Sequence, residues 1–278
     1  MNRLIGVFVS AVLVFLLTAR IGQGQDVNWK KVKVLVYTKN GKGYVHDNIA
    51  SAVQCIQKLG TQHGFSVDAS DQPTVFTEEN LKQYTLLIFP STNNDVFDTD
   101  AQRLAFRRYI EAGGGFVGIH SVMGTERNWT WFKRMLGGTF AWHPKFQKFK
   151  IDVLDTRHPS MQGLPKTWEK EDEFYFTKNM SPGPTVIMAN DLTSLNQDEP
   201  EKVKMFGGSY TELYPSAWYY NFDGGYTWCT TLGHAKTDYE SDATFIKHIF
   251  QGIRYVAGQV KKLDYSKAYA DSRDTPIR

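Results

Sequence analysis

A short apolar run enclosed by glycines, between Gly113 and Gly124, constrains the fold of this chain more than any other segment. Residues 116–119 are apolar and β-forming, and the glycines on both sides predict a buried strand that ends in a sharp turn. In α/β folds, a side chain at such a junction projects into the crevice at the carboxyl edge of the sheet. His120 stands at this position, where a nucleophile elbow has Ser or Cys. The role of this imidazole is the main functional question that the sequence raises.

The segments before this strand alternate between strand and helix patterns. Apolar runs predict strands at residues 32–37, 65–69 and 85–89, and helical spacing predicts helices at 47–59, from Thr77, and at 98–112. Gly60 is expected to end the first helix. The alternation predicts an α/β fold of three layers, in which a mostly parallel sheet carries helices on both faces.

The second half of the chain has a less regular pattern. It predicts a short helix at 129–136, strands at 149–154 and 185–189, a polar loop at 190–212, a C-terminal β-hairpin at 216–222 and 226–232, and a closing helix at 244–256. The chain length suits one large domain, which we place at residues 31–258. Residues 259–278 are expected to form a polar and loosely packed C-terminal tail.

The first 24 residues have the pattern of a secretory signal peptide. A positively charged start is followed by the uncharged run from Leu4 to Leu17, and glycines occupy the −3 and −1 positions of a cut after Gly24. The apolar run is shorter than the roughly 20 residues of a membrane-spanning helix. We therefore expect cleavage near Gly24, no transmembrane anchor afterwards, and a periplasmic or secreted protein.

The charge balance bears on nucleic-acid binding, and the cysteine content bears on disulfide formation. Beyond residue 24 the chain has 30 Lys and Arg against 29 Asp and Glu, without a basic run, which argues against nucleic acid as a partner. Cys55 and Cys229 are the two cysteines. They could pair after export, but two free buried thiols are the favoured interpretation.

Four histidines share a position just after a predicted strand or in an adjacent loop. They are His46, His120, His143 and His234. Because the ends of parallel strands meet at one rim of an open sheet, these imidazoles are expected to lie close together there. Such a group favours acid–base chemistry or a transition-metal site. For any single histidine, a hydrogen-bonded structural role is the alternative.

Carboxylates and nucleophiles give weaker signals. Asp172 and Glu173 lie in an acidic run that could instead be a solvated charged surface. Asp47 and Asp238 are further candidates, although Asp47 is equally suited to cap the first helix. Ser121 is a poor partner for His120, because adjacent residues of a strand point in opposite directions.

Six motifs occur in an order that resembles a known family. They are Val34-Leu-Val-Tyr37 with His46-Asp47, Gly113 to His120, Trp131-Phe132 with Leu136-Gly-Gly, Phe140 and His143-Pro144, His158-Pro159, Trp168 with Asp172-Glu173-x-Tyr175, and Leu232-Gly-His234. The chain resembles the trehalose-utilisation (ThuA-like) proteins, whose fold is similar to that of class I glutamine amidotransferases. Amidotransferases carry a catalytic Cys where this chain has His120, so the resemblance implies a different chemistry.

The resemblance implies a function in carbohydrate metabolism. The expected ligand is a small glycoside or 3-keto-glycoside, processed by acid–base chemistry in the manner of a hydrolase, lyase or isomerase, with a divalent transition metal as an optional cofactor. The residues assigned to catalysis are His120, His234, His46, Asp172 and Glu173; those assigned to substrate binding are Tyr44, His143, Trp142 and Trp218; and the candidate metal ligands are His46, His120 and His234. The alternative is a non-catalytic sugar-binding or accessory protein on the same scaffold.

Overall fold

A nine-stranded sheet with helices on both faces forms the framework of the computed structural model, which describes residues 27–196 and 198–278. The strands are β1 (Lys33–Tyr37), β2 (Ser66–Ser70), β3 (Leu86–Pro90), β4 (Gly115–Ile119), β5 (Thr139–Trp142), β6 (Gln147–Val153), β7 (Thr167–Asp172), β8 (Phe176–Lys178), β9 (Thr185–Asp191), β10 (Leu213–Phe222) and β11 (Gly225–Thr230). The helices are α1 (Ile49–His63), α2 (Glu78–Leu81), α3 (Asp100–Glu111), α4 (Thr130–Leu136), α5 (Pro200–Gly207), α6 (Lys236–Glu240) and α7 (Ala243–Gln259).

The strand order is β2-β1-β3-β4-β11-β10-β9-β6-β7, and β5 pairs separately with β8. The five strands from β2 to β11 are parallel, and each later neighbour is antiparallel to the one before it. The predicted α/β fold with a mostly parallel sheet is therefore confirmed. The predicted hairpin, β10 with β11, lies inside the sheet because β11 also pairs with β4.

Side chains of the parallel strands alternate between two cores. On one face, residues such as Val34 and Ile88 pack with α1 and α7; on the other, Leu35 and Phe89 pack with α3 and α4. This alternation is the period of two expected for a strand that is covered on both sides. The layers hold the carboxyl ends of β1, β3, β4 and β11 at one rim.

Helix α1 is longer than predicted, and Gly60 does not end it. Gly60 lies inside the helix, where a Cβ atom would approach the Phe65 carbonyl oxygen to 2.8 Å, so the glycine is there for close packing. The helix ends instead at Gly64, which has the left-handed conformation typical of a C-cap, with φ 87°. Asp47 does not cap this helix and forms an exposed ion pair with Lys236.

The segment predicted as a polar loop and the acidic run both contain regular structure. The polar loop at 190–212 contains α5, which begins with Pro200 at the first helical position. The acidic run after Trp168 belongs largely to β7, an edge strand of the sheet. Within β7, Lys170 points inward with 5% of its surface exposed and forms ion pairs with Asp238 and Asp242.

The C-terminal tail is packed, which corrects the prediction of a loose segment. The buried Arg107 donates to the carbonyl oxygens of Arg273 and Thr275, and the buried Glu111 accepts from the backbone nitrogens of Tyr269 and Ala270. Burying this Arg–Glu pair requires partners for all its polar atoms, and the tail supplies them.

The predicted signal peptide, residues 1–24, lies outside the described residues. Among the residues that the structure does describe, no helix is long and apolar enough to cross a membrane. Cys55 and Cys229 are both free and buried, as favoured from the sequence. Burial raises the pKa of the Cys55 thiol to about 11 and that of Cys229 to about 12, which leaves both unreactive at neutral pH.

Candidate active site

His120 lies directly after β4, at the start of a 3-10 turn that ends at Gly124. Its φ of 56° is in the left-handed region, which non-glycine residues adopt rarely and mostly where the surrounding structure imposes it. The turn folds back closely on the strand, because a Cβ atom at Gly118 would lie 2.9 Å from Val122 Cγ1. The side chain of His120 is fully buried. The sharp turn predicted after this strand is therefore present, with a histidine at its tip.

His120 is one of four polar side chains whose nitrogen and oxygen atoms lie close together. Its Nε2 atom lies 3.2 Å from His46 Nε2, 3.3 Å from His234 Nδ1 and 3.5 Å from Glu173 Oε2. His234 Nδ1 is 3.2 Å from the same carboxylate oxygen. One potential ligand atom from each of the four residues lies within 4.8 Å of all the others, so this group could hold a metal ion. We refer to His46, His120, Glu173 and His234 as the His–Glu cluster.

Neighbouring groups fix the orientation of each imidazole. His120 Nδ1 is 2.9 Å from the carbonyl oxygen of Thr231, which follows β11. His46 Nδ1 is 3.1 Å from Ser121 Oγ, and this hydroxyl lies 3.2 Å from the carbonyl oxygen of Thr92. These contacts use the far side of both rings and leave their Nε2 atoms facing the centre of the cluster.

Asp172 fixes the backbone of the loop that carries His234. The two carboxylate oxygens of Asp172 accept hydrogen bonds from the backbone nitrogens of Gly233 at 2.8 Å and His234 at 3.1 Å. On the other side, Asn48 Nδ2 donates to the carbonyl oxygens of the same two residues. Asp172 was assigned a catalytic role, but its fully buried carboxylate faces the backbone of this loop. It is a positioning residue.

Charge in the cluster is distributed unevenly. Burial, together with the His120 and His234 imidazoles, lowers the pKa of His46 to about 3. Burial alone would raise the pKa of Glu173, but its contacts with His120 and His234 outweigh this and hold that pKa well below its ordinary range. Burial acts to lower the pKa of His234, yet the Glu173 carboxylate outweighs it and raises this pKa. At neutral pH the cluster thus contains an ionised carboxylate beside a neutral His46.

A cavity of about 410 Å³ opens above the cluster. It is lined by Tyr44, His46, Asn93, Ser121, Gly124, Arg127, Phe140, His143, Glu173 and Tyr175. The volume is within the range of small-molecule sites. Aromatic rings, an amide and a guanidinium around one concave surface suit a ligand with apolar ring faces and several hydroxyl groups.

The structure brings most of the predicted site residues together, but not all of them. His46, His120, His234 and Glu173 form the cluster, and Tyr44 and His143 line the cavity. The two tryptophans assigned to substrate binding are elsewhere. Trp142 stacks between Phe176 and Phe206, and Trp218 is fully buried with its indole nitrogen donating to the carbonyl oxygen of Leu136.

Six residues of the cavity lining were not assigned from the sequence, and Tyr175, Asn93 and Arg127 are among them. Tyr175 Oη lies 3.2 Å from His120 Nε2, and burial raises the pKa of this phenol well above its ordinary value, so it stays protonated. Its position two residues after Glu173 was a usable signal, because alternate residues of an extended chain face the same side. Asn93 and Arg127 hydrogen-bond to each other at 3.3 Å at the rim, and nothing in their local sequence marks them.

The remaining carboxylate and nucleophile candidates lie outside the cluster. Asp238 is buried against Lys170 and accepts from the Ala235 backbone nitrogen, while Asp47 is fully exposed on the surface. Ser121 does not pair with His120, as expected, but contacts His46 instead.

Comparison with known proteins gives the same family as the sequence motifs. The family model for trehalose utilisation (ThuA) matches residues 33–256. A solved structure described as ThuA-like, from Bacteroides uniformis, is 23% identical, covers 86% of this chain and 96% of its own, and superposes with a TM-score of 0.69. Another, from Parabacteroides merdae, is 17% identical, covers 86% and 99%, and has a TM-score of 0.63.

A cytoplasmic protein from Salmonella typhimurium shares the fold more distantly. It is 12% identical, the alignment covers 81% of this chain and 98% of that one, and the TM-score is 0.54. No protein with a curated description matches the sequence. At these identities the solved structures establish the shared fold alone.

Proposed function

Because this chain belongs to the ThuA family of trehalose-utilisation proteins, we propose that it is an exported enzyme acting on a small glycoside or 3-keto-sugar by acid–base chemistry. One observation carries the proposal. His120, His234 and Glu173 lie within 3.5 Å of one another, and Glu173 and the neighbouring His46 line a cavity large enough for a small carbohydrate.

The charge distribution supports proton transfer. In the metal-free cluster His234 has a raised pKa and is partly exposed, which suits it to exchange a proton with a ligand near neutral pH. The neutral phenol of Tyr175 can donate a hydrogen bond to a developing oxyanion. Both groups lie at the cluster, so one substrate can contact both.

A 3-keto-glycoside matches this chemistry. Its ketone acidifies the C2–H bond, so a base removes that proton and leaves an enediolate with its charge on the carbonyl oxygen. Expulsion of the glycosidic oxygen from C1 then forms the C1–C2 double bond, and the leaving oxygen takes up a proton. Tyr44 and Phe140 would contact the sugar ring, and Asn93 and Arg127 its hydroxyl groups.

The test is turnover of 3-keto-trehalose and other 3-keto-glycosides by the mature protein. His120→Asn keeps a residue that tolerates the left-handed backbone and removes the imidazole. We expect it to lower kcat/KM by at least about 100-fold, the low end for a lost acid–base group. The matched control is His63→Asn, at the end of α1 and outside the cavity, which should retain activity.

Two outcomes would contradict the proposal. Full activity of a folded His120→Asn protein would remove His120 from the mechanism. Tight sugar binding by the unaltered protein without any turnover would favour the non-catalytic sugar-binding alternative.

A further inference from the structure

We propose that the His–Glu cluster binds one divalent transition-metal ion through His46 Nε2, His120 Nε2, His234 Nδ1 and a Glu173 carboxylate oxygen. This inference deepens the proposed function, on which it rests for the reaction but not for the binding of the ion. It is carried by the hydrogen-bond partners on the far side of the His46 and His120 rings, by the spacing of the four atoms and by one buried carboxylate oxygen that makes ion-pair contacts but no hydrogen bond.

The proton of His120 is assigned by its hydrogen-bond partner. Nδ1 faces the carbonyl oxygen of Thr231 at 2.9 Å, and a carbonyl oxygen only accepts. Nδ1 therefore carries a hydrogen, and in its neutral form the ring presents a lone pair at Nε2. A metal-binding histidine characteristically donates its other ring N–H to a carbonyl or carboxylate in this way.

The same argument applies to His46. The Ser121 hydroxyl lies 3.2 Å from the carbonyl oxygen of Thr92, so it donates there and accepts the hydrogen of His46 Nδ1. His46 Nε2 then also presents a lone pair, only 3.2 Å from the lone pair of His120 Nε2. Two such atoms repel each other unless a proton or a cation lies between them.

A cation accounts for the arrangement better than a proton. A proton bridges two atoms, whereas four converge here, and the buried Glu173 Oε2 has no hydrogen bond of acceptable geometry. Tyr175 Oη can donate to His120 Nε2 at 3.2 Å, but this leaves His46 Nε2 unsatisfied. A positive ion at the centre would satisfy all four groups at once.

The spacing also fits a metal. Two ligand atoms at about 2.1 Å from a tetrahedral ion are separated by about 3.4 Å. Four of the six separations between donor atoms in the cluster are 3.2, 3.3, 3.2 and 3.5 Å, and the other two, both from His46 Nε2, are within 4.8 Å. Three imidazoles with one carboxylate favour ions such as Zn²⁺, Co²⁺ or Ni²⁺ over Mg²⁺ or Ca²⁺, which prefer oxygen ligands. Beside this cavity, such an ion would polarise a substrate carbonyl.

Metal binding can be measured without any substrate. The mature protein is stripped with a chelator and titrated with Co²⁺, followed by visible absorption, and with Zn²⁺, followed by calorimetry. We expect one ion per chain and a rise in Tm with Zn²⁺. His120→Asn and Glu173→Gln should each weaken binding by about 100-fold or more. His158→Asn, a buried histidine outside the cavity, should bind as the unaltered protein does.

Metal binding and turnover are separate measurements, so the metal site and the proposed function can fail independently. Absence of stoichiometric binding by the unaltered protein, or unchanged binding by both folded cluster variants, would overturn the metal site. Full turnover of a 3-keto-glycoside by the chelated protein would overturn the role of the ion in the reaction and leave the proposed function standing. Stoichiometric binding without turnover would support the site and count against the proposed reaction. Circular dichroism of each variant identifies those that do not fold.

Discussion

At the scale of single residues, Ser121 shows how a hydroxyl group sets the direction of a functional imidazole. It is almost fully buried between the Thr92 carbonyl oxygen and His46 Nδ1. In sequence it appeared only as a possible nucleophile. In the fold it fixes which nitrogen of His46 carries hydrogen, and so which one faces the His–Glu cluster.

Replacing Ser121 by Ala should therefore weaken metal binding without removing a ligand. Outer-shell partners of metal-binding histidines are typically worth 10- to 100-fold in affinity, and we expect a loss of about that size for Co²⁺. Ser51→Ala removes another buried serine, whose hydroxyl contacts Glu240, and should leave Co²⁺ affinity unchanged. Equal affinities for Ser121→Ala and Ser51→Ala would contradict this role.

The sequence identified the histidines better than the aromatic residues. His46, His120 and His234 follow strands that end at one rim, so topology alone brings them together. No such argument exists for Trp218, because a strand covered on both faces buries its aromatic residues on either side. Asp172 was predicted as a catalytic residue and does lie beside the cluster. Its carboxylate contacts backbone N–H groups, however, and a sequence pattern does not reveal such contacts.

At the scale of elements, α3 begins with a capping box. Thr99 Oγ1 accepts from the Gln102 backbone nitrogen at 3.3 Å, and Gln102 Oε1 accepts from the Thr99 backbone nitrogen at 3.2 Å. This reciprocal pair satisfies two of the backbone donors left open at a helix start. The helix also carries Arg107, which binds the C-terminal tail.

Thr99→Ala should lower the free energy of unfolding by about 1 kcal/mol, the usual cost of losing such a cap. The control is Thr61→Ala, an exposed position inside α1, where Ala is the better helix former and the change should be near zero or slightly stabilising. Urea unfolding followed by circular dichroism gives both values. Equal stability of the two variants would contradict the importance of the cap.

At this scale, elements with a strong local sequence pattern were predicted well, and features that depend on tertiary packing were not. The apolar runs of β1, β3 and β4 are visible because both faces of these strands are buried. The end of α1 was misplaced because Gly60 is required by packing against Phe65 rather than by helix termination. Helix α5 lies in a segment with little apolar periodicity, so only its Pro200 was a signal.

At the scale of the whole molecule, two buried histidines couple stability to pH. Burial lowers the pKa of His248 to about 3, and it outweighs the nearby Asp155 carboxylate to lower the pKa of His158 to about 4. An imidazole in the unfolded chain titrates near 6.5. As the pH falls, the unfolded chain therefore binds these protons first, and stability is lost between about pH 6.5 and pH 3.

His158→Asn should reduce this pH dependence while keeping an acceptor for the Ser160 backbone nitrogen. One fewer proton lowers the slope of unfolding free energy against pH by up to about 1.4 kcal/mol per unit. Urea unfolding at pH 7, 6 and 5 measures it. The same slope in both proteins would show that the pKa of His158 does not differ between the folded and unfolded states.

The position of β7 at the edge of the sheet has a consequence for the behaviour of the protein in concentrated solution. An unpaired edge is a template on which a strand from another molecule can add, and this is a route to aggregation. Here the inward-pointing Lys170 places a charge where an added strand would need an apolar neighbour, and the exposed Glu169 and Glu171 flank it. We therefore expect Lys170, which pairs with the Asp172 carboxylate that binds the His234 loop, to oppose self-association through this edge.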